Sequence, residues 1–203
     1  MLFQGQVSPQ QLAAGVQANV ALGKGAEMLV SEYQGRYYSL AYAGKVFGIC
    51  NQAAAALSTL SATYTGLLFF NPLGSGINAI LLQAAVALAT APAGISNIHY
   101  EGTLTVQSTA VTNTTPRASF STLFGNTAVS SCSGSVSATL PAAPVAIRAL
   151  GGGPVATGST AAPFILDDVA GGMIFSPGTY CGLGYLTTAI SVVASFHWAE
   201  LPQ

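Results

Sequence analysis

Two apolar runs separated by a short polar break dominate the hydrophobic pattern of this chain. Leu67–Phe70 and Ile77–Leu88 flank the break Asn71–Gly76, which contains one proline and two glycines. Proline fixes φ and glycine tolerates positive φ, so the break predicts a turn or short loop. We expect the two runs to be neighbouring strands. No Asp, Glu, Lys or Arg occurs from Val46 to Tyr100, so this part must be buried, in its own subunit or against another copy.

The second apolar run is the one segment that also fits a helix. Ile77–Ala91 is apolar on every side, so a helix there would have no solvent-facing stripe. Its length favours a helix, whereas the Pro- and Gly-containing turns at both ends favour a long strand. We predict a strand, with a buried helix as the alternative.

Short β segments separated by turns account for most of the remaining chain. Before the central runs, Tyr37–Ala43 and Val46–Cys50 are predicted strands, and Asn51–Ala62 is predicted to be extended rather than helical. Beyond Gly94, the predicted strands are Ile95–Val106, Ser119–Phe124, Val136–Leu140, Val145–Leu150, Pro163–Leu166, Met173–Phe175, Thr179–Leu186 and Ser191–Trp198.

The turns between these segments are rich in Gly and Pro. Gly151–Pro154 predicts a flexible loop, Asp167-Asp168 an acidic turn, and Ser176-Pro177-Gly178 a tight turn. Many short strands with such turns indicate an all-β antiparallel sandwich or barrel. We assign residues 27–203 to this β-sandwich domain.

The first 26 residues are rich in Gln, Ala and Gly and form a separate lead-in. Two interpretations stay open. The segment is either a terminus without fixed structure or an arm that orders on a neighbouring subunit. In the second case, the apolar side chains that would contact a partner are Leu2, Phe3, Val7 and Leu12.

The composition points to self-association. Charged residues are 5% of the chain, against roughly 25% in an ordinary soluble domain. The surface must therefore be built from Ser, Thr, Gln, Asn and Ala, and a net charge of −1 adds little repulsion between copies. We expect a homo-oligomer, with a trimer as the expected form.

The same composition argues against several classes of partner. The apolar run from Ile77 is too short for a spanning helix, which needs roughly 20 apolar residues, and the first residues lack the pattern of a signal peptide. Five Lys and Arg residues do not make a basic patch for nucleic acid. Gly151-Gly152-Gly153 lacks the Lys and the following helix of a phosphate-binding loop. We expect neither a membrane nor a nucleic-acid partner.

Histidines are the first candidates for chemistry. His197 lies three residues before Glu200, but no Ser or Cys nucleophile in a recognisable setting accompanies this pair. His99 is expected in a half-exposed strand. Neighbouring residues of a strand face opposite sides, so Trp198 points away from His197. We expect Trp198 to pack on the core or to contact a partner subunit.

Carboxylates and cysteines give no stronger signal. Asp167-Asp168 followed by Gly171 and Gly172 lacks the spaced oxygen ligands of a calcium loop. Three cysteines, Cys50, Cys132 and Cys181, are too few and too distant for a disulfide framework, so we expect buried, reduced thiols. We therefore predict no catalytic residue, no cofactor and no metal site.

Several short motifs together resemble β-rich structural proteins of tailed bacteriophages. The resemblance spans about residues 26–202. Its last motif resembles a strand ending on Trp-Glu-Glu-hydrophobic-Pro, in which Ala199 replaces the first acidic residue. The motifs are Gly35–Tyr38, Asn71–Gly76 after an apolar strand, Ala91–Ile95, Leu140–Pro144, Pro177–Tyr180 and Ser195–Pro202.

The resemblance implies a jelly-roll-like sandwich in a virus particle. The implied role is a capsid decoration or cement protein, made in the bacterial cytoplasm, whose partners are copies of itself and the major capsid protein. The alternative is a receptor-binding or fibre-tip module that recognises host glycans, for which exposed tyrosines, Tyr37, Tyr38, Tyr42 and Tyr64, would be the contacts. A hydrolase would need a nucleophile and base that this sequence does not display.

Overall fold

The computed structural model describes residues 36–90, 92–94, 96–153 and 164–203. This part contains one short helix, α1 (Tyr38–Tyr42), and no helix in it is long and apolar enough to cross a membrane. The strands are β1 (Val46–Cys50), β2 (Ala55–Ala56), β3 (Thr63–Asn71), β4 (Ile77–Leu88), β5 (Ser96–Gly102), β6 (Thr112–Arg117), β7 (Phe120–Ser121), β8 (Ser133–Thr139), β9 (Val145–Gly153), β10 (Phe164–Phe175), β11 (Thr179–Tyr185) and β12 (Ser191–Pro202).

Two antiparallel sheets pack face to face as a sandwich. The first sheet has the order β10-β4-β12-β1-β7, with β2 beside β12. The second sheet has the order β6-β8-β3-β11-β5-β9. The prediction of an all-β antiparallel sandwich is confirmed.

Strand pairing is nested from the ends of the described chain towards its middle. β1 pairs with β12, β3 with β11, β4 with β10, and β5 with β9. Among the described strands, no two that follow each other in the chain are paired. Strands β6, β7 and β8 lie between β5 and β9 in sequence and extend the outer edges of the two sheets. The chain therefore crosses repeatedly from one sheet to the other.

The two central apolar runs are both strands, which confirms a strand rather than a helix for Ile77–Leu88. They are not neighbours, because β3 belongs to the second sheet and β4 to the first. The break between them carries the chain across the sandwich. The Asn71 side-chain amide holds this crossing by donating to the carbonyls of Ile77 (2.8 Å) and Phe175 (2.9 Å).

Three other predictions are wrong in the described residues. Tyr37–Ala43 contains helix α1, which ends where Gly44 adopts φ +68° and Lys45 N–H donates to the Leu40 carbonyl, as in a Schellman cap. Gly151–Gly153 is not a loop but the end of β9, paired with β5. Asp167-Asp168 is not a turn, because β10 continues along the twelve-residue β4 and accommodates the extra residues as a bulge before Met173.

The core lies between the sheets and is built around aromatic side chains. Phe69 packs 4.7 Å from Trp198 and edge-on against Phe175 at 5.5 Å, measured between ring centroids. Leu67 and Phe69 of β3 point into this core, whereas Leu68 and Phe70 point to the other side of the sheet. There they join a second, smaller core that contains Tyr64, Ala138, Leu140 and Tyr180. Burial on both faces explains why Leu67–Phe70 of β3 is a continuous apolar run.

We expect Phe69→Ala to lower the free energy of unfolding by about 3–5 kcal/mol, because it opens a cavity beside Trp198. The matched control is Phe124→Ala, since Phe124 is 85% exposed and its truncation should change stability by less than about 0.5 kcal/mol. Urea denaturation measures both. Similar losses in the two variants would contradict the assignment of Phe69 to the core.

Candidate functional site

A buried glutamate organises the outer side of the second sheet. Ile98 and Tyr100 of β5 point into the core, so His99 and Glu101 point to the opposite side. The Glu101 carboxylate is 1% exposed and accepts hydrogen bonds from Ser58 Oγ (3.1 Å) and from the Leu60 N–H (3.1 Å). Glu101 thereby fastens the segment that precedes β3 onto the sheet.

The space and backbone around Glu101 are specialised for this contact. A Cβ on Gly184 would overlap the Glu101 carboxylate, so only glycine fits there without rearrangement. Leu60, whose N–H donates to the carboxylate, adopts φ +40°, a left-handed conformation that costs free energy for a residue with a side chain. The backbone at Leu60 is therefore strained in the conformation in which its N–H donates to the buried Glu101 carboxylate.

His99 belongs to the same cluster without completing a catalytic arrangement. Its Nε2 lies 3.6 Å from Glu101, and neither ring nitrogen makes a hydrogen bond. At 3% exposure it is buried, so the expectation of a half-exposed position is wrong. Ser58 donates to Glu101, not to His99, so the nucleophile–base hydrogen bond of a serine hydrolase is not formed.

A second buried glutamate, Glu200, holds the loop that leads into β8. Its carboxylate accepts hydrogen bonds from Ser130 Oγ, the N–H groups of Ser131 (3.0 Å) and Cys132 (3.2 Å), and Trp198 Nε1 (3.1 Å). Burial pushes the pKa of Glu200 upward, but these hydrogen bonds outweigh it and hold the pKa below its ordinary value. The carboxylate is therefore a charged structural anchor.

Trp198 is fully buried in the core, next to Phe69 and bonded to Glu200. It presents no side-chain surface to a partner, so the core interpretation fits its position and the partner-contact interpretation does not. The other predicted partner residues, Leu2, Phe3, Val7 and Leu12, lie outside the described residues.

Asp167 is the third carboxylate used inside the fold. It accepts from Tyr100 Oη (2.9 Å) and pairs with Arg148 Nη2 (2.9 Å). Asp168 follows it in the same strand, is exposed on the opposite side, and accepts from the Ala170 N–H (3.1 Å). The two carboxylates do not converge, and the described residues contain no group of three or more His, Cys, Asp or Glu that would hold a metal ion.

His197 lies on the outer side of the first sheet, opposite Gly48 on β1 and Gln83 on β4. The Phe120 ring covers Gly48 and meets the His197 ring edge-on at 6.1 Å. Burial lowers the pKa of His197. The described contacts of Glu200 go to Trp198 and the loop, so His197 and Glu200 form no acid–base pair.

The outer side of the first sheet is the most distinctive surface of the described residues. Large apolar side chains are exposed there: Phe164 is 63%, Leu166 56% and Ile174 62% exposed on β10. Asp168 is the one charged residue among the described residues of this face. We define the open sheet face as Phe164, Leu166, Asp168, Ile174, Ile80, Gln83, Ala85, Ala87, Val193, Ser195, His197, Gly48 and Phe120.

The two sheets differ in how their outer sides are covered. The second sheet carries the small core around Tyr64 and the segment fastened by Glu101. The open sheet face lacks such a covering over β10, where Phe164, Leu166 and Ile174 are exposed. On the same side of β1 and β12, by contrast, Val46 and Ala199 are buried and the Phe120 ring covers Gly48. This difference makes the open sheet face the best candidate for an interaction surface.

Two cavities of about 310 and 140 Å³ lie at one end of the sandwich and share Thr179 in their walls. No residue that lines either cavity is titratable. Neither therefore supplies a general acid, a general base or a charged ligand.

Cys50, Cys132 and Cys181 are free thiols; Cys132 and Cys181 are buried and Cys50 is partly buried. Burial raises the pKa of both buried thiols, which keeps them protonated and unreactive.

Comparison with protein-family models, curated proteins and solved structures gave no match to this chain.

We expect Glu101→Ala to lower the free energy of unfolding by about 3 kcal/mol, because it leaves the Ser58 hydroxyl and the Leu60 N–H without an acceptor. Glu101→Gln keeps one acceptor oxygen and should lose less. Chemical denaturation compares the two. Equal, small losses would show that Glu101 does not fasten this segment.

We expect the contribution of Glu200 to stability to depend on acid pH. Because its folded pKa is depressed, the carboxylate stabilises the fold above its ordinary pKa of about 4.3, and this is lost as pH falls through the folded pKa. The difference in unfolding free energy between wild type and Glu200→Gln should be constant near neutrality and shrink below about pH 4. A difference that does not change with pH would contradict this assignment.

Proposed function

We propose that this chain is a non-enzymatic structural protein of a virus particle, a decoration or cement protein that packs as a homo-oligomer on the outside of a tailed-phage head. One observation carries the proposal: most of the carboxylates are used inside the fold. Of the four carboxylates in the described residues, Glu101, Glu200 and Asp167 are bound inside the fold, and Asp168 is exposed. The exterior is thus even poorer in negative charge than the composition indicates, and little opposes association.

The strand order supports the same class of protein. Nested pairing of β1 with β12, β3 with β11, β4 with β10 and β5 with β9 is the order expected of a jelly roll. Jelly rolls are common in viral capsid proteins and in lectins. A fold does not define a function by itself, so this supports the proposal together with the surface.

In this proposal the protein acts mechanically. Uncharged faces pack against other copies and against the major capsid protein, so the oligomer bridges capsid subunits and resists pressure from inside. A specific contact buries about 1,600 Å² in total, and repetition over a lattice multiplies the effect of each contact. The sequence motifs that resemble phage structural proteins support the location on a phage head.

The alternative is a receptor-binding or fibre-tip module that recognises host glycans. Of the tyrosines expected as its contacts, Tyr64 is fully buried, so that expectation is wrong for Tyr64. One observation favours the alternative: the rings of Phe120 and Phe124 stack with centroids 6.4 Å apart, and Phe124 is 85% exposed. Exposed aromatic faces are suitable for packing against sugar rings. A glycan array distinguishes this alternative, since a decoration protein should bind no glycan selectively.

We expect the purified protein to sediment as an oligomer at micromolar concentration and to bind expanded phage heads. Because the surface has few charges, both should persist between about 0.1 and 1 M salt. On the order of hundreds of copies per particle would indicate decoration, whereas about a dozen or fewer would indicate a tail or fibre. A stable monomer that does not bind heads would refute the proposal.

A further inference from the structure

We propose that the open sheet face is the contact through which two copies of this chain pair, face on face. This inference rests on the proposed function, because it identifies the surface and the partner of the self-association. The partner is a second copy that presents the same face.

The size of the face fits a stable pair. β4, β10 and β12 each contain 12 residues and lie side by side, with β1 and β7 beyond them. At about 3.3 Å per residue and 4.8 Å between strands, β4, β10 and β12 have a footprint of roughly 570 Å². The area over β1 is left out, because Val46 is buried there and the Phe120 ring covers Gly48. A standard interface buries about 800 Å² on each partner, and monomers rarely expose apolar patches of more than a few hundred Å².

The chemistry of the face favours a partner without charge. Asp168 is the one charged side chain among its described residues, and Gln83 and His197 are its largest neutral polar groups. Such a face has no charge pattern with which to select an acidic or basic partner. A second copy of the same face offers an equally apolar surface.

The relief of the face is also self-complementary. The large exposed side chains Phe164, Leu166 and Ile174 form a ridge on β10, at one edge. The strands beside it present small residues, Ala85 and Ala87 on β4 and Ser195 on β12. In a two-fold pair shifted towards this edge, the ridge of each copy lies over the small residues of the other, and both contacts form at once.

Two pairs of variants test the surface. Leu166→Lys and Leu186→Lys place the same charge at 56% and 54% exposed positions, but only Leu166 lies on the open sheet face. Ile174→Lys is a second variant on the face, and Val129→Lys, at 87% exposure, is a second control. All four positions are exposed, so the variants should fold; circular dichroism and thermal melting check this.

We expect sedimentation velocity over a concentration series to show self-association at least about 100-fold weaker in Leu166→Lys and Ile174→Lys, because each charge appears twice in a two-fold contact. Leu186→Lys and Val129→Lys should associate like the wild type. This pattern, with an even number of copies in the wild type, supports the inference.

Three results would overturn it. The first is wild-type association that the face variants leave unchanged. The second is a stable trimer, which is the form expected from the sequence but which a two-fold contact does not produce. Association that is lost in Phe3→Asp with Leu12→Asp but retained in the face variants counts with it, because that pattern would identify the N-terminal arm as the contact. The third is a monomer whose binding to phage heads is lost in the face variants, which would make another protein the occupant. A wild-type monomer that binds no heads refutes the proposed function itself, so the two failures are distinguishable.

Discussion

A buried carboxylate needs hydrogen-bond donors, and this requirement shapes much of the structure. Leaving the charge unmatched would cost several kcal/mol, so Glu101 and Glu200 each recruit donors from outside their own strands. Glu101 takes them from Ser58 and Leu60, and Glu200 takes most of them from residues 130–132. Each glutamate therefore fixes a connecting segment against a sheet, residues 58–60 for Glu101 and residues 130–132 for Glu200.

Using carboxylates inside the fold changes what the outside can do. A chain with only six acidic and five basic residues has little charge to distribute. Each carboxylate that anchors a loop or pairs with Arg148 is lost as a source of repulsion between copies. The use of carboxylates inside the fold thus both fixes connecting segments and leaves an exterior with little charge to oppose association. It also explains why the outer sides of the two sheets differ. The second sheet is covered by the segment that Glu101 fastens, whereas the first sheet exposes the apolar ridge on β10.

The fold class followed from local patterns, whereas strand partners did not. The Gly- and Pro-containing turns correctly predicted the positions of most strands. The turns at both ends of Ile77–Leu88 also correctly predicted that this segment is a strand. Pairing depends on contacts between distant segments, so the pattern could not show that Asn71–Gly76 joins different sheets. β6 was missed because Thr112–Arg117 lies on an edge and has no apolar alternation. Helix α1 was missed because its aromatic residues favour strands, although Gly44 marks its end.

The buried clusters were beyond prediction for a physical reason. Ser58 and Glu101 are 43 residues apart, and Ser130 and Glu200 are 70 apart, so no spacing rule connects them. One signal was present: Glu101 ends a run without charge, between Tyr100 and Gly102. A single carboxylate inside an otherwise uncharged, buried strand must find donors, and nested pairing brings those donors from segments far away in sequence. The open sheet face is the counterpart of this arrangement. Phe164, Leu166 and Ile174 stay exposed there beside a single charge, Asp168, so they can exclude water only against another molecule.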